Sequence, residues 1–375
     1  MGKQMRLVPI EWCRPGMRLA KKVFNEEGLV LLAEHVELTQ RMVERLALYG
    51  IPHLYIEDER TDDVVIRDAI TVETRRMAMG VIRTNFKRVM LDSLPRRAAY
   101  QPYMGKSFME ALRMIIDDLS QNPGAMIMLT DISITDMYLY QHSLNVCIYA
   151  TMLGLADGYS KNDLTMLGLG ALLHDIGKTK LPTDILKKPG KLLDSEFETM
   201  KRHTEYGYRL LKDEPNIPLL SAHCALQHHE RLDGSGYPRG IRGEEIHDFA
   251  KWIGLVDSYD AMTTNRVYRA AMLPHQAMEV LYTGADSLYE KSKVEHFRDR
   301  VAIYPLGATV TLNTGETGVV VDVNSQFAQR PIVRILEDQE GQTLKEPYEI
   351  DLSTHLSVIV TGIGNVQVAE PIKFT

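Results

Sequence analysis

Cysteine is scarce in this 375-residue chain: Cys13, Cys147 and Cys224 are scattered and share no CxxC spacing. That excludes a disulfide framework and a thiolate-bound structural zinc, and it fits a reducing cytosol. Basic charge is not in excess. The 43 Lys and Arg against 50 Asp and Glu give a formal net charge of -7, whereas a binder of polymeric nucleic acid carries a basic surface that displaces counterions. No polymeric nucleic-acid partner is expected, although a few cations in one cleft would suffice for a small phosphate ligand. Nowhere do some 18 uncharged apolar residues run together, and no apolar leader follows Met1, so we expect a cytoplasmic protein without a transmembrane segment. There is no GxxxxGK[ST] loop for a triphosphate and no Ser or Cys motif pointing to a covalent intermediate. Solenoid repeats and low-complexity tracts are missing too.

What is present is an ordinary globular composition, 45% hydrophobic and 25% charged, able to bury a core and long enough for two or three domains. Residues 1–60 read as a small mixed α/β module. Lys22 to Phe24 and Leu29 to Leu32 predict strands around a turn at residues 25–28, Thr39 is the N-cap of a helix ending before Gly50, and Ile51 to Ile56 alternates as a strand. Residues 61–122 read as a helical connector. Its stripe of Met109, Leu112, Ile115, Ile116 and Leu119 is core or dimer packing, which makes the connector a candidate homodimerisation element. Residues 123–300 are helical and hold nearly all the suggestive polar residues. From 301 to 375 the texture changes to short Val/Ile/Thr runs, Ala308 to Leu312, Thr317 to Val323 and Pro331 to Leu336, with turn signals between them. This predicts a β-rich accessory module, a small barrel or curled sheet. The expected class is mainly α: an all-helical central domain flanked by a small N-terminal α/β module and a small C-terminal β-rich module.

The central third carries the chemistry. His142 shares a helical face with Val146, Tyr149 and Leu153. His174 and Asp175 end the helical run Leu164 to Ile176, in which Gly168, Gly170 and Ala171 permit close packing and Gly177 reads as a helix stop. Adjacent helical residues point about 100° apart, so this pair can serve two ions. His203 is expected in a helix opened by a Ser195-x-x-Glu198 capping box, with Gly207 leaving room for a bulky group. His228 and His229 follow the small Ala222 and Ala225, and Asp257 and Asp260 share one side of a last helix. Each alone has an ordinary reading as a capped helix end, a solvated face or a hydrogen-bonded core histidine. Together, five His and two Asp at apolar helical positions between residues 142 and 257 would be costly to bury without a shared cation. Imidazole and carboxylate donors without thiolate favour a catalytic Fe, Mn or Zn pair.

The string His174-Asp175-Ile176-Gly177-Lys178, followed by Gln227 to Pro238 with its His pair and Asp233-Gly234-Ser235-Gly236-Tyr237-Pro238 loop, resembles the double signature of the HD-GYP family. These are bacterial cyclic di-GMP phosphodiesterases within the HD superfamily of metal-dependent phosphohydrolases. The resemblance extends through Asp257 to Thr263 and on to Arg266 and Arg269, covering Met128 to Arg300. It implies an HD-type central domain that hydrolyses cyclic di-GMP to linear pGpG, and onward to GMP, through a metal-bridging hydroxide. It implies His142, His174, Asp175 and Asp257 around one divalent ion, Asp175 bridging, and His203, His228 and His229 around a second. Fe or Mn is implied, with Zn or Ni as alternatives. Asp175 and Lys178 take the catalytic roles, with Lys178 reaching the scissile phosphate. Gly236, Tyr237, Pro238, Asp260, Arg266 and Arg269 are placed near the substrate or, for some, in support of the metals. Part of the family holds a third metal through a Glu one turn before the first His; Tyr138 stands there, so two are expected. Thr204 replaces a usual Pro and Arg269 a common Lys, which leaves substrate preference open. Two alternatives remain: a non-catalytic cyclic-dinucleotide sensor or scaffold working through signalling partner proteins, or the same chemistry on another cyclic dinucleotide. His35, His53, His223, His247, His275, His296, His355 and Cys224 fall outside the set, with His223 the nearest exception. Trp252 and Tyr259 could stack on guanine, though core packing is expected of both.

Overall fold

The protein is described from a computed structural model covering residues 5–24, 30–49, 51, 53–61, 63–64, 69–91, 104–121, 138–188, 190–264, 272, 274–301, 304, 306–324, 327 and 329–363. The N-terminal part is built from β1 (Arg6–Pro9), β2 (Val23–Phe24), β3 (Val30–Leu32), α1 (Gln40–Leu48) and β4 (His53–Ile56). β2 pairs antiparallel with β3, as expected, and Thr39 caps α1 by accepting from the Met42 amide at 3.3 Å. β1, which the sequence reading did not separate from its surroundings, pairs antiparallel with β4. Val8, Leu19, Leu38, Leu46 and Leu54 form a small core of their own.

Two longer helices follow, α2 (Val72–Leu91) and α3 (Met104–Gln121). In α3 the expected stripe is buried at Leu112, Ile115, Ile116 and Leu119, while Met109 stays 37% exposed at its edge. The stripe faces inward, because α3 packs on α2 and on two helices of the central bundle, α4 (Tyr138–Ala156) and α5 (Lys161–Leu173). Those apolar residues are therefore covered within the chain, and a second copy would have to use another surface.

α4 and α5 carry apolar residues on all sides and are buried accordingly. The bundle continues through α6 (Thr183–Leu186), α7 (Asp194–Lys201), α8 (His203–Leu211), α9 (Leu219–Gln227), α10 (Asp248–Thr263), α11 (Pro274–Thr283) and α12 (Lys291–Arg300). A Cβ on Gly170 would meet the Cys224 side chain at 2.8 Å, so that glycine sets the close contact of α5 with α9. The reading of a tightly packed helix there holds.

The C-terminal part is one antiparallel sheet of β5 (Thr309–Leu312), β6 (Thr317–Asp322), β7 (Ile332–Glu337), β8 (Thr343–Asp351) and β9 (Val360–Ile363), in the order β8-β7-β6-β5-β9. Its inner residues Val310, Val320, Val333 and Ile335 join the same core as the helices. The two flanks also meet: the Leu7 amide donates to Gly307 O at 2.6 Å, and Arg334 Nη1 donates to Arg60 O at 2.8 Å.

Candidate metal centre

The donors come from the ends and inner faces of five helices. His142 lies on α4 and Asp257 on α10; His174 closes α5, and Asp175 opens the 3-10 turn Ile176–Lys180 that carries Lys178. His203 is the first residue of α8, while His228 closes α9 and His229 follows it. The donor atoms of Asp175, His203, His228 and His229 all lie within 4.8 Å of one another, as do those of His142, His174 and Asp257. Asp175 spans the two groups. Its Oδ1 is 3.4 Å from His203 Nε2 and 3.9 Å from His228 Nε2, and its Oδ2 is 3.4 Å from His174 Nε2 and 3.6 Å from His142 Nε2. Two donors bonded to one ion at about 2.1 Å stand roughly 3.0–3.4 Å apart. The 3.0 Å from Asp257 Oδ1 to His142 Nε2 and the 3.3 Å between His203 and His228 Nε2 match that edge.

Backbone carbonyls fix how the rings face. His174 Nδ1 lies 2.7 Å from Ala171 O, His203 Nδ1 2.7 Å from Met200 O, and His228 Nδ1 3.1 Å from the carbonyls of Cys224 and Ala225. A carbonyl can only accept, so each Nδ1 carries a proton and each Nε2 is turned inward. Burial drives His203 down to about 4, and burial followed by the neighbouring imidazoles drives His228 well below its ordinary range. Two lone pairs thus face each other across 3.3 Å, an arrangement a cation between them relieves. Burial also lowers His229 far.

The carboxylates stay charged. Burial pushes Asp175 up, but Lys178 and then His174 outweigh it and hold the group well below the usual range; for Asp257, His142 outweighs burial in the same way. His142 moves the other way: burial opposes its charge, yet Asp257 and Asp260 raise it to about 9. His174 Nε2 and Asp175 Oδ1 are buried with no hydrogen-bond partner, a cost of about 1–3 kcal/mol each that a bound cation would remove. The donors present fit a pair of divalent ions.

Around this centre several expectations change. Asp260 is not at the mouth: it is buried, and its carboxylate accepts from His142 Nδ1 at 2.7 Å and from Asn145 Nδ2 at 2.9 Å. It supports a donor rather than facing solvent. Gly177 is not a left-handed helix stop, since α5 ends at Leu173; a Cβ there would stand 1.9 Å from His203 O, so the missing side chain lets α8 approach. Gly207 lies against Ala225 and the Gly177 and His174 backbone rather than a bulky group. The cap of α7 comes from Glu196, which accepts from the Leu193 amide at 2.7 Å, not from Ser195 and Glu198; α7 ends at Lys201 and α8 starts at His203, with Arg202 between them still in a helical conformation. Trp252 and Tyr259 are core residues, and His223 packs on Tyr208 away from the donors. Arg266 and Arg269 lie outside the described residues, as does the side chain of Tyr138.

Lys178 is 20% exposed at the mouth, its Nζ 2.5 Å from Asp175 Oδ2. Tyr237 stacks on His229 with centroids 4.6 Å apart. Its loop is held from below by Glu230, to which the sequence reading gave no role. That buried carboxylate accepts from the amides of Arg239 at 2.8 Å and Ile241 at 3.2 Å. Gly236 folds onto the same backbone, where a Cβ would come within 2.4 Å of His229 O. Bonds to a charged acceptor are worth about 1.5–3 kcal/mol. A Glu230→Gln protein should therefore keep its metal content while its apparent KM rises about tenfold; elemental analysis with steady-state kinetics checks this, and an unchanged KM contradicts it.

Comparison with known proteins fits this geometry. Residues 114–292 match the family model of the HD domain. That segment of the chain is therefore of HD-domain type. Residues 309–368 match the model of a KOW domain associated with the HD domain. A Pseudomonas aeruginosa protein named as a cyclic di-GMP phosphodiesterase is 36% identical over 227 residues, 59% of this chain and 54% of that protein. A Thermotoga maritima cyclic di-GMP phosphodiesterase is 39% identical over 164 residues, 43% of this chain and 44% of its own. A 3'3'-cGAMP-specific phosphodiesterase of Vibrio cholerae is 38% identical over 144 residues, 38% of this chain and 31% of its own. The chain thus spans about half or less of the curated relatives it matches. HD-domain phosphohydrolases bind divalent metals, and the His and Asp cluster of this HD domain has that character. Among the described residues no helix is long and apolar enough to cross a membrane.

Proposed function

We propose that the protein is a metal-dependent phosphodiesterase that opens cyclic di-GMP to linear pGpG, and onward to GMP. The observation that carries this is the Asp175 carboxylate standing between His142 and His174 on one side and His203 and His228 on the other. His142, His174, Asp175 and Asp257 would hold one cation, and Asp175, His203, His228 and His229 the second. The mixed imidazole and carboxylate donors suit Fe or Mn, with Zn or Ni as poorer candidates. When bound, the pair supplies Lewis acidity that lowers the pKa of a water nucleophile and neutralises phosphoryl oxygens.

The chain's own groups do the rest. Lys178 presents its ammonium at the mouth, where it meets the charge that builds on the phosphate. Asp260 keeps the His142 ring turned, and the Gly236-Tyr237-Pro238 loop forms one wall. Arg266 and Arg269 are assigned to phosphate on sequence alone. We divide the chain as 1–60, 61–122, 123–300 and 301–375, the third part catalytic, and place it in the cytosol, which its three buried free thiols suit. Product chromatography with Mn- or Fe-loaded protein tests the activity: pGpG should accumulate, and wild-type protein no faster than a His174→Ala, Asp175→Ala double mutant overturns it.

A second reading keeps the chemistry and changes the substrate. The cGAMP-specific relative supports it, and relative kcat/KM over a panel of cyclic dinucleotides decides. A sensor without turnover is disfavoured, because such proteins tend to lose donors and none is missing here.

A further inference from the structure

α7 joins the two halves of the donor set, and none of its residues is buried. On it Phe197 is 44% exposed, and Leu193 at its boundary 63%. The Phe197 ring meets Tyr237 edge-on, centroids 6.2 Å apart, and Tyr237 in turn stacks on the donor His229. Lys201, one turn further along α7, holds its ammonium 5.0 Å from the Phe197 centroid and 5.7 Å from that of Tyr237, with Glu198 at 2.6 Å. An unbroken aromatic path therefore leads from the metal centre to open surface with a cation beside it. Its surroundings are basic: residues 178–202 carry seven Lys or Arg against four Asp or Glu, in a chain whose net charge is -7.

From this we infer that Phe197 and Lys201 form a purine subsite that selects guanine, receiving the base next to the phosphate under attack. The inference rests on the proposed phosphodiesterase reading. An exposed ring beside a polar cleft is a stacking platform for a base, worth about 1–3 kcal/mol in nucleic-acid complexes. Stacking alone accepts any purine. The ammonium adds the choice: guanine offers O6 and N7, both acceptors, whereas adenine places its N6 donor group beside N7. The phosphate is placed at Lys178 and the base on the Phe197 ring, which meets Tyr237 edge-on. Leu193, on the same side of the helix, extends the apolar floor.

Calorimetric titration of the metal-loaded full chain with cyclic di-GMP, cyclic di-AMP and cyclic di-UMP, paired with steady-state kinetics, tests this. Phe197→Ala should raise both Kd and KM for cyclic di-GMP about tenfold, leave kcat within about twofold, and affect cyclic di-UMP less; Phe197→Tyr should restore affinity. Lys201→Met should narrow the preference for cyclic di-GMP over cyclic di-AMP. Metal content and circular dichroism must match wild type, as expected for exposed side chains. An unchanged Kd in Phe197→Ala overturns the subsite. The same result with a shift from dimer to monomer in sedimentation assigns the ring to a protein contact and overturns it equally. Wild-type protein that binds but never hydrolyses, with Phe197→Ala binding more weakly, removes the hydrolase reading and leaves the subsite standing. Wild-type protein that binds no cyclic purine dinucleotide overturns both.

Discussion

Replacing Asp175 by Asn should abolish hydrolysis and strip the protein of metal. Asp175 turns one oxygen to two imidazoles of each donor group, Oδ1 toward His203 and His228 and Oδ2 toward His142 and His174, whereas Asp257 reaches only His229 of the second group, at 3.9 Å. The amide keeps the shape, loses the charge and turns an NH2 group toward one set of imidazoles. Removing a hydrogen-bond partner of a ligand costs roughly 10–100-fold in affinity or activity; removing a shared ligand should exceed that at both positions. The variant should fold, because Asn leaves no cavity and lifts the cost of an ionised carboxylate in a buried site. Elemental analysis and kcat measured on one preparation check the expectation. A variant that keeps both ions and more than a tenth of the activity contradicts it.

Lys178→Met should separate binding of metal from chemistry. The lysine is not among the converging donors, yet its ammonium is 2.5 Å from the Asp175 carboxylate and partly open to solvent. Methionine preserves length and packing while removing the charge. Loss of one preorganised charge-stabilising group costs about 10²–10³ in kcat, so turnover should fall by that factor with metal content unchanged. Lys178→Arg should recover part of it. If kcat is unaltered, Lys178 merely neutralises Asp175 and the phosphate is met by other cations.

The seven side chains that converge were legible in the sequence as a set, because a buried His or Asp at an apolar helical position has few inexpensive explanations. Their orientation was not legible. It depends on the carbonyls of Ala171, Met200, Cys224 and Ala225, which every residue type carries and which become partners only when helices end beside the site. Gly177 illustrates the same limit: a glycine that ends a helix and one that admits a neighbouring backbone look identical in sequence. Asn145, three residues after His142, could have been found from helical spacing. Glu230 stood within the quoted motif, but its partners are two amides nine and eleven residues away. Of the C-terminal sheet, β5, β6 and β7 were legible from their Val and Ile runs. β8 was not, because Thr343 to Asp351 is rich in charge, contains Pro347 and lies mostly exposed. It is a strand because β7 pairs with it along an edge, and charge with proline is what guards an edge against further pairing.

The most direct test of the account is the number of metal ions per chain in protein purified without oxygen, measured alongside cyclic di-GMP turnover. The geometry predicts two ions per chain in wild type, and a site that loses occupancy and activity together when His203 or His228 is replaced by Ala. Fully active protein holding no metal, or His203→Ala and His228→Ala proteins with unchanged occupancy and rate, would contradict it.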